Sequence, residues 1–376
     1  MESIIPFNKP YLTGKETTYI LEAVNSGKIS GNGIFTKKCQ TFFEEMYKFK
    51  KCLLTTSCTD ALEMAAILAD IKDGDEVIVP SYTFVSTALP FIRQGAKIIF
   101  ADSEMLTPNI DVTKVEALIT SKTKAIVPVH YAGVACDMDG IMDLAAKYNL
   151  IVIEDAAQAI DSFYKGKPLG SIGHMAAFSF HETKNIISGE GGMLTINDKR
   201  FVERAEVIWE KGTNRASFFR GEVNKYGWVD TGSSFLPSEI IAAFLWAQLE
   251  KLEEIQIQRK NIWETYYTGL KNWALEKNIK LPTIPDYATN NGHMFYIVCS
   301  SVEQRSAIIA KLKDKQILSV FHYLSLHASP YYMDKYDGDE LPNSDRYTNC
   351  LLRLPLYFEL TQDQLDSIIK ILVSFD

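Results

Sequence analysis

From about residue 51 to 200, short apolar runs alternate with amphipathic stretches along the chain. KCLLTTS is followed by CTDALEMAAILAD, GDEVIVPS by TFVSTALPFIRQG, and AKIIFAD by DVTKVEALIT, which reads as a helix. KAIVPVHYAG then precedes MDGIMDLAAKYN, and LIVIEDAAQA, MAAFSFH and GGMLTIND close the series. Near-continuous apolar runs suit strands buried on both faces, so the alternation predicts an α/β domain: a mostly parallel sheet with helices on both sides. After residue 200 the texture changes. The stretch SEIIAAFLWAQLEKLEEIQIQRKNIWETYYTGLKNWALE holds apolar residues at helical spacing and predicts one or two long helices linking two domains. Beyond it, HMFYIVCS, RSAIIAKLKDKQI and LDSIIKILVSF predict a smaller α+β domain. The expected division is a large domain over 1–248, N-terminal segment included, and a small one over 249–376.

Composition narrows the function. The chain has 376 residues, 47% of them hydrophobic, enough for a large core, and a formal net charge of −8. That charge argues against a nucleic-acid surface, which needs clustered Lys and Arg, so any phosphate must be held locally. The six cysteines form no C-x-x-C pair and no metal-finger spacing, and they read as reduced thiols. No set of His, Cys and carboxylates has convincing metal spacing. The start MESIIPFNKPYLTGKE lacks the character of a signal peptide, and no apolar run is long enough to span a bilayer. A soluble cytoplasmic protein is expected.

Open α/β sheets bind ligands at the carboxyl ends of their strands, which directs attention to four junctions. In TTSCTDAL, hydroxyl residues join a strand to a helix. Free N–H groups at the helix start, beside Ser57 and Thr59, suit a phosphate dianion, although Ser and Thr are also ordinary N-caps. In IVIEDAAQA a buried strand ends in Glu154 and Asp155. A buried carboxylate needs a cation or strong donor, so Asp155 should have a partner, with Gln158 near; capping of the next segment is the competing explanation. In AAFSFHETKNIISGEGGML, Lys184 stands between an apolar strand and a glycine-rich loop. Desolvation there depresses a lysine pKa into the nucleophilic range, whereas a solvated loop lysine is the commoner case. In PSYTFVST, Tyr82 and Phe84 follow a strand, where an aromatic ring covers a planar ligand or simply packs in the core. The four together ask for a ligand with a phosphate, a ring nitrogen that wants a carboxylate, a flat face and an aldehyde that condenses with lysine. That ligand is pyridoxal 5′-phosphate (PLP), with Lys184 as the condensing amine.

The motifs GNGIFTKKCQ, PSYTFVSTA, VPVHYAGVACDMD, EDAAQA, SFHETKN, GEGG, EKGTNR and FHYLSLH resemble those of the sugar-nucleotide aminotransferases of fold type I. The resemblance runs from IPFNKP to LLRLPLY, and SFHETKN with GEGG is its most specific part. It implies a mostly parallel seven-stranded sheet and a homodimer with active sites at the subunit interface. By this likeness Lys184 binds the cofactor covalently, Asp155 meets the ring nitrogen and Gln158 donates to the ring hydroxyl. Ser179 would hold the phosphate with Ser57, Cys58 and Thr59, and Phe84 would stack on the ring. His322, Tyr323 and His327 of FHYLSLH would turn toward the sugar nucleotide, and His181 toward the sugar or the donor carboxylate; for each histidine a structural role is the alternative. One position departs from the family. Where several relatives have an asparagine that reaches the partner's phosphate site, this chain has Leu236, with Ser233 and Ser234 nearby.

The implied reaction moves the amino group of L-glutamate to C4 of dTDP-4-dehydro-6-deoxy-D-glucose, giving dTDP-4-amino-4,6-dideoxy-D-galactose for bacterial surface polysaccharide. A 3-keto sugar or a UDP- or GDP-linked acceptor is the nearer alternative, and a non-catalytic binding protein the more distant one. Lysine at 184 favours aminotransfer, since related deoxysugar dehydratases have histidine there.

Overall fold

The computed structural model describes residues 4–375. Seven strands build the central sheet: β1 (Lys51–Thr55), β2 (Glu76–Pro80), β3 (Lys97–Ala101), β4 (Thr123–Ile126), β5 (Ile151–Asp155), β6 (Met175–Ser179) and β7 (Gly192–Ile196). Their order is β1-β7-β6-β5-β4-β2-β3. The run from β6 through β5, β4 and β2 to β3 is parallel, whereas β7 is antiparallel to both β6 and β1. The sheet is therefore mostly parallel, as the apolar runs predict, and seven-stranded, as the resemblance implies.

Period-two alternation gives the sheet two separate cores. Leu54, Ile78, Val152 and Phe178 pack on one face against helices Ile34–Tyr47, Met138–Tyr148 and Glu239–Leu249. Leu53, Val77, Ile153 and Ala177 pack on the other, under helices Cys58–Leu68 and Lys199–Trp209. The DVTKVEALIT segment forms less helix than expected, a single turn at Val112–Val115 followed by a 3-10 turn at Glu116–Leu118.

The long helical stretch is two helices, Glu239–Leu249 and Leu252–Glu276, broken at Glu250 and Lys251. The second changes core along its length. Leu252 and Ile255 pack with the sheet, whereas Tyr266 and Leu270 pack with the antiparallel pair β8 (Phe295–Val298) and β9 (Leu351–Leu354). Helices Val302–Asp314 and Gln362–Val373 complete that smaller core. Ile5 also belongs to it: its N–H donates to the Gln316 carbonyl at 2.9 Å, and the Leu318 N–H donates back to Ile5 at 3.0 Å. The N-terminal segment, grouped with the large domain in the sequence, thus reaches across to the small one. Among the described residues no helix is long and apolar enough to cross a membrane.

Candidate active site

The carboxyl ends of β1, β2, β5 and β6 surround a cavity of about 440 Å³ that β9 and the FHYLSLH segment close from the other side. Ser57, Cys58, Thr59, Phe84, Asp155, Gln158, Ser179, His181, Lys184, His322 and Tyr323 all line it. His327 does not.

Helix Cys58–Leu68 begins at the cavity. Ser57 is its N-cap, with Oγ accepting from the Asp60 N–H at 3.1 Å, and the Thr59 hydroxyl donates to Ser86 Oγ at 2.8 Å. Capping and cavity lining are thus the same residue's work. Ser179 ends β6 and accepts from the His181 N–H at 3.4 Å. Gly192 explains part of the GEGG loop: a Cβ there would fall 2.3 Å from the Ser57 carbonyl carbon, so only glycine lets β7 lie this close to the helix start. The Cys58 thiol is pushed well up by burial, which keeps it protonated.

The adjacent carboxylates of β5 point to opposite faces of the sheet. Glu154 is fully buried and accepts from the N–H groups of Gly170 (2.7 Å), Ile172 (2.9 Å) and Gly173 (2.6 Å), with His130 Nε2 at 2.9 Å. It anchors the turn before β6. Asp155, 6% exposed, lines the cavity, where its Oδ2 accepts from the Thr87 hydroxyl at 2.7 Å and Oδ1 from the Ala157 N–H at 3.2 Å. Burial raises its pKa, while Thr87 and Ala157 oppose the rise.

Lys184 follows a tight turn in which its N–H donates to the His181 carbonyl at 2.9 Å. The chain thereby directs the half-buried side chain into the cavity, where among the described residues the amine makes no hydrogen bond or ion pair. Desolvation lowers its pKa below the ordinary lysine value, with Cys58 and Asp155 pulling the other way.

The remaining expected residues differ in surroundings. Gln158 Oε1 accepts from the Ala132 N–H at 2.6 Å and its Nε2 donates to the Tyr323 hydroxyl at 2.9 Å. His322 stacks on Tyr323 at 3.5 Å, and its Nδ1 is 2.7 Å from the Tyr131 hydroxyl. Phe84, 55% exposed, sits on the cavity rim, whereas Tyr82 is buried in the core, so the packing alternative holds for Tyr82. His181 Nδ1 lies 3.0 Å from Thr183 Oγ1. Ser233 and Ser234 are exposed, Leu236 packs against the core beneath helix Lys199–Trp209, and none of the three lines the cavity of its own chain. His327 corrects an expectation. The 3-10 turn Leu326–Ala328 buries it beneath the site, with Nδ1 2.7 Å from Ser81 Oγ and Nε2 3.6 Å from Asp345.

Several cavity residues were not singled out in the sequence. Arg353, on β9, lines the cavity; its guanidinium lies 4.6 Å from the Phe7 ring and, among the described residues, has no hydrogen bond or ion pair. The signal was present as a lone cation in the apolar strand LLRL. His293 also lines the cavity, with Nδ1 2.8 Å from Asn185 Oδ1. Both side-chain hydrogens of Asn185 go elsewhere, to Gln256 Oε1 and the Asn291 carbonyl, so Oδ1 accepts and His293 Nδ1 carries the proton.

An amine of lowered pKa and an arginine, each without a counter-ion among the described residues, together with a buried carboxylate and a hydroxyl-lined helix start, fit PLP and an amino-acid carboxylate in one cavity. The comparisons agree. The DegT/DnrJ/EryC1/StrS aminotransferase family matches residues 10–373. The spore coat polysaccharide biosynthesis protein SpsC of Bacillus subtilis is 34% identical over 97% of this chain and 95% of its own length. The PLP form of the putative sugar aminotransferase Spr1654 of Streptococcus pneumoniae superposes with a TM-score of 0.90 at 26% identity, covering 99% of this chain and 98% of that one. An aminotransferase from Psychrobacter cryohalolentis superposes at 0.91 with 28% identity and 98% of each chain covered. The chain belongs to the DegT/DnrJ/EryC1/StrS aminotransferase family and is a PLP-dependent aminotransferase of fold type I.

Proposed function

We propose that the enzyme moves the amino group of L-glutamate to C4 of dTDP-4-dehydro-6-deoxy-D-glucose, the reaction of a dTDP-4-amino-4,6-dideoxygalactose transaminase, in surface-polysaccharide synthesis. The observation that carries the reading is the meeting of Lys184, Asp155 and the start of helix Cys58–Leu68 in one cavity. The relatives named for sugar and polysaccharide work support a sugar acceptor.

When bound, PLP supplies an electrophilic carbon and a ring that takes up the electron pair left by a departing proton. Ser57, Cys58, Thr59 and Ser179 hold its phosphate, Gln158 donates to the ring hydroxyl, and Phe84 covers the ring face. Asp155 holds the proton on the ring nitrogen. Lys184, with its lowered pKa, takes the proton from the glutamate α-carbon and returns one to the sugar carbon that gains nitrogen. Arg353 receives the glutamate carboxylate, which would give its guanidinium the anion it lacks among the described residues. His181, His322 and Tyr323 face the sugar nucleotide.

In this reading the cavity lies between a large domain over 1–248 and a small one over 249–376, with Lys184 from the first and Arg353 from the second. The enzyme works as a homodimer. Phe84 on the rim and Trp228, 83% exposed, are apolar surface that a second copy would cover. A solution mass equal to one 42.4 kDa chain would overturn the dimer.

The test is incubation with PLP, L-glutamate and dTDP-4-dehydro-6-deoxyglucose, followed by mass spectrometry and NMR of the nucleotide sugar. An axial amine at C4 supports the whole reading. Release of 2-oxoglutarate without an aminated sugar keeps the donor half and rejects this acceptor, directing attention to 3-keto and UDP- or GDP-linked sugars.

A further inference from the structure

The carboxylate of Asp155 is reached by two linked hydroxyls that the reading above does not use. Thr83 and Thr87 lie four residues apart, either side of the start of the 3-10 turn Val85–Thr87, and both are buried, at 2% and 0% exposure. The Thr87 N–H closes the turn on the Phe84 carbonyl at 3.1 Å and brings the two hydroxyls to 2.7 Å. Thr87 Oγ1 is also 2.7 Å from Asp155 Oδ2.

A hydroxyl has one hydrogen, and an ionised carboxylate only accepts. The Thr87 hydrogen therefore goes to Asp155, and Thr83 must donate to Thr87. The chain has one direction, from Thr83 through Thr87 to the carboxylate. With the Ala157 N–H on Oδ1 at 3.2 Å, each carboxylate oxygen is held by one protein donor. Hydrogen bonds to an ion are the stronger kind, and each link of such a chain polarises the next.

We propose that Thr87, backed by Thr83, is a positioning residue for amino transfer: it orients Asp155 and stabilises its negative charge toward the ring nitrogen of PLP. This rests on the assignment of Asp155 as that nitrogen's partner. The cavity wall supports it, because Thr83 and Asp155 both line the cavity while Thr87 lies behind them. A purely structural threonine would serve the turn through its backbone alone.

The test compares wild type with Thr87→Val, Thr87→Ala, Thr87→Ser, Thr83→Val and Asp155→Asn. Each is reconstituted with PLP and assayed for the visible absorption band of the bound cofactor, PLP affinity, and kcat and KM for glutamate. Loss of a hydrogen bond to a charged group predicts a kcat about 10- to 100-fold lower in Thr87→Val, with KM within about twofold of wild type. The cofactor band should move in the direction seen for Asp155→Asn, and Thr83→Val should give the same change in smaller measure. Thr87→Ser should restore both readouts. If Thr87→Val does not fold, Thr87→Ala against Thr87→Ser isolates the hydroxyl. Wild-type kcat and band in the hydroxyl-free variants, beside a damaged Asp155→Asn, overturns the inference and leaves the role of Asp155 standing. An Asp155→Asn enzyme that matches wild type overturns that role, and the inference with it.

Discussion

The side-chain amide of Gln158 donates to the Tyr323 hydroxyl at 2.9 Å, so the segment that follows Asp155 at the end of β5 is tied across the cavity to the FHYLSLH segment. Tyr323→Phe cuts the tie and leaves ring packing in place. Loss of one such bond, about 1 kcal/mol, predicts roughly fivefold lower kcat/KM for the sugar half-reaction. Unchanged steady-state kinetics with the sugar nucleotide would show that the tie has no role in turnover.

Lys184→Ala should abolish turnover with glutamate and leave thermal unfolding within a few degrees of wild type, since among the described residues the amine has no hydrogen-bond or ion-pair partner to lose. Stopped-flow and product analysis check the first point and calorimetry the second. Retained wild-type transamination would remove Lys184 from the mechanism.

Arg353 should show activity and stability moving in opposite directions. Arg353→Leu is expected to raise KM for glutamate about 10- to 100-fold, because a buried carboxylate loses a charged partner. Without ligand the same variant should unfold at a higher temperature, since a desolvated cation with no anion among the described residues is replaced by an apolar side chain. Arg353→Lys should not restore KM, as a lysine lacks the planar fork. An unchanged KM would reject the carboxylate role.

Glu154→Gln should destabilise the fold by about 3 kcal/mol, because one of the two atoms facing the backbone N–H groups of Gly170, Ile172 and Gly173 becomes a donor. Chemical denaturation measures it. A midpoint equal to wild type would show that the turn holds without the charge.

Stability should fall as the pH drops below neutral. His293 and His322 have pKa values well below the ordinary histidine value, chiefly through burial and with the neighbouring cations adding to it. They stay neutral in the fold, while the unfolded chain binds protons from about pH 6.5 downward. The unfolded state then holds more protons, and unfolding free energy falls by at most about 1.4 kcal/mol per pH unit for each histidine. Urea midpoints at pH 7.5 and 5.5 test this, with the lower value expected at pH 5.5.

What the sequence disclosed and what it hid follow from local versus distant placement. Lys184 and Asp155 were legible because each closes an apolar strand, and strand ends are where this architecture gathers its chemistry. The hydroxyls at the start of helix Cys58–Leu68 were legible as cavity residues because a strand-to-helix junction is local. His327 was misplaced because five residues along a loop do not preserve facing: the chain turns at Leu326–Ala328 and buries it against Ser81, while His322 stays on the cavity. His293, just before β8, and Arg353, on the paired strand β9, are far apart in the sequence, and only the packing of that strand pair onto the sheet brings them to the cavity with Lys184. Thr87 was hidden differently. Its partner Asp155 is 68 residues away, and nothing in TFVST marks which hydroxyl turns inward.

Glu154 and Asp155 share one strand end yet face different surroundings, the first a backbone turn and the second the cavity. Their division of labour depends on phase alone, since successive residues of a strand face opposite sides. A one-residue deletion within IVIED would turn each carboxylate to the other face of the sheet, so that the turn loses its anion and the cavity wall loses its own. Strand β5 should therefore accept conservative substitutions at its apolar positions far more readily than any change of length, and in a library of insertions and deletions it should be among the most intolerant segments of the chain.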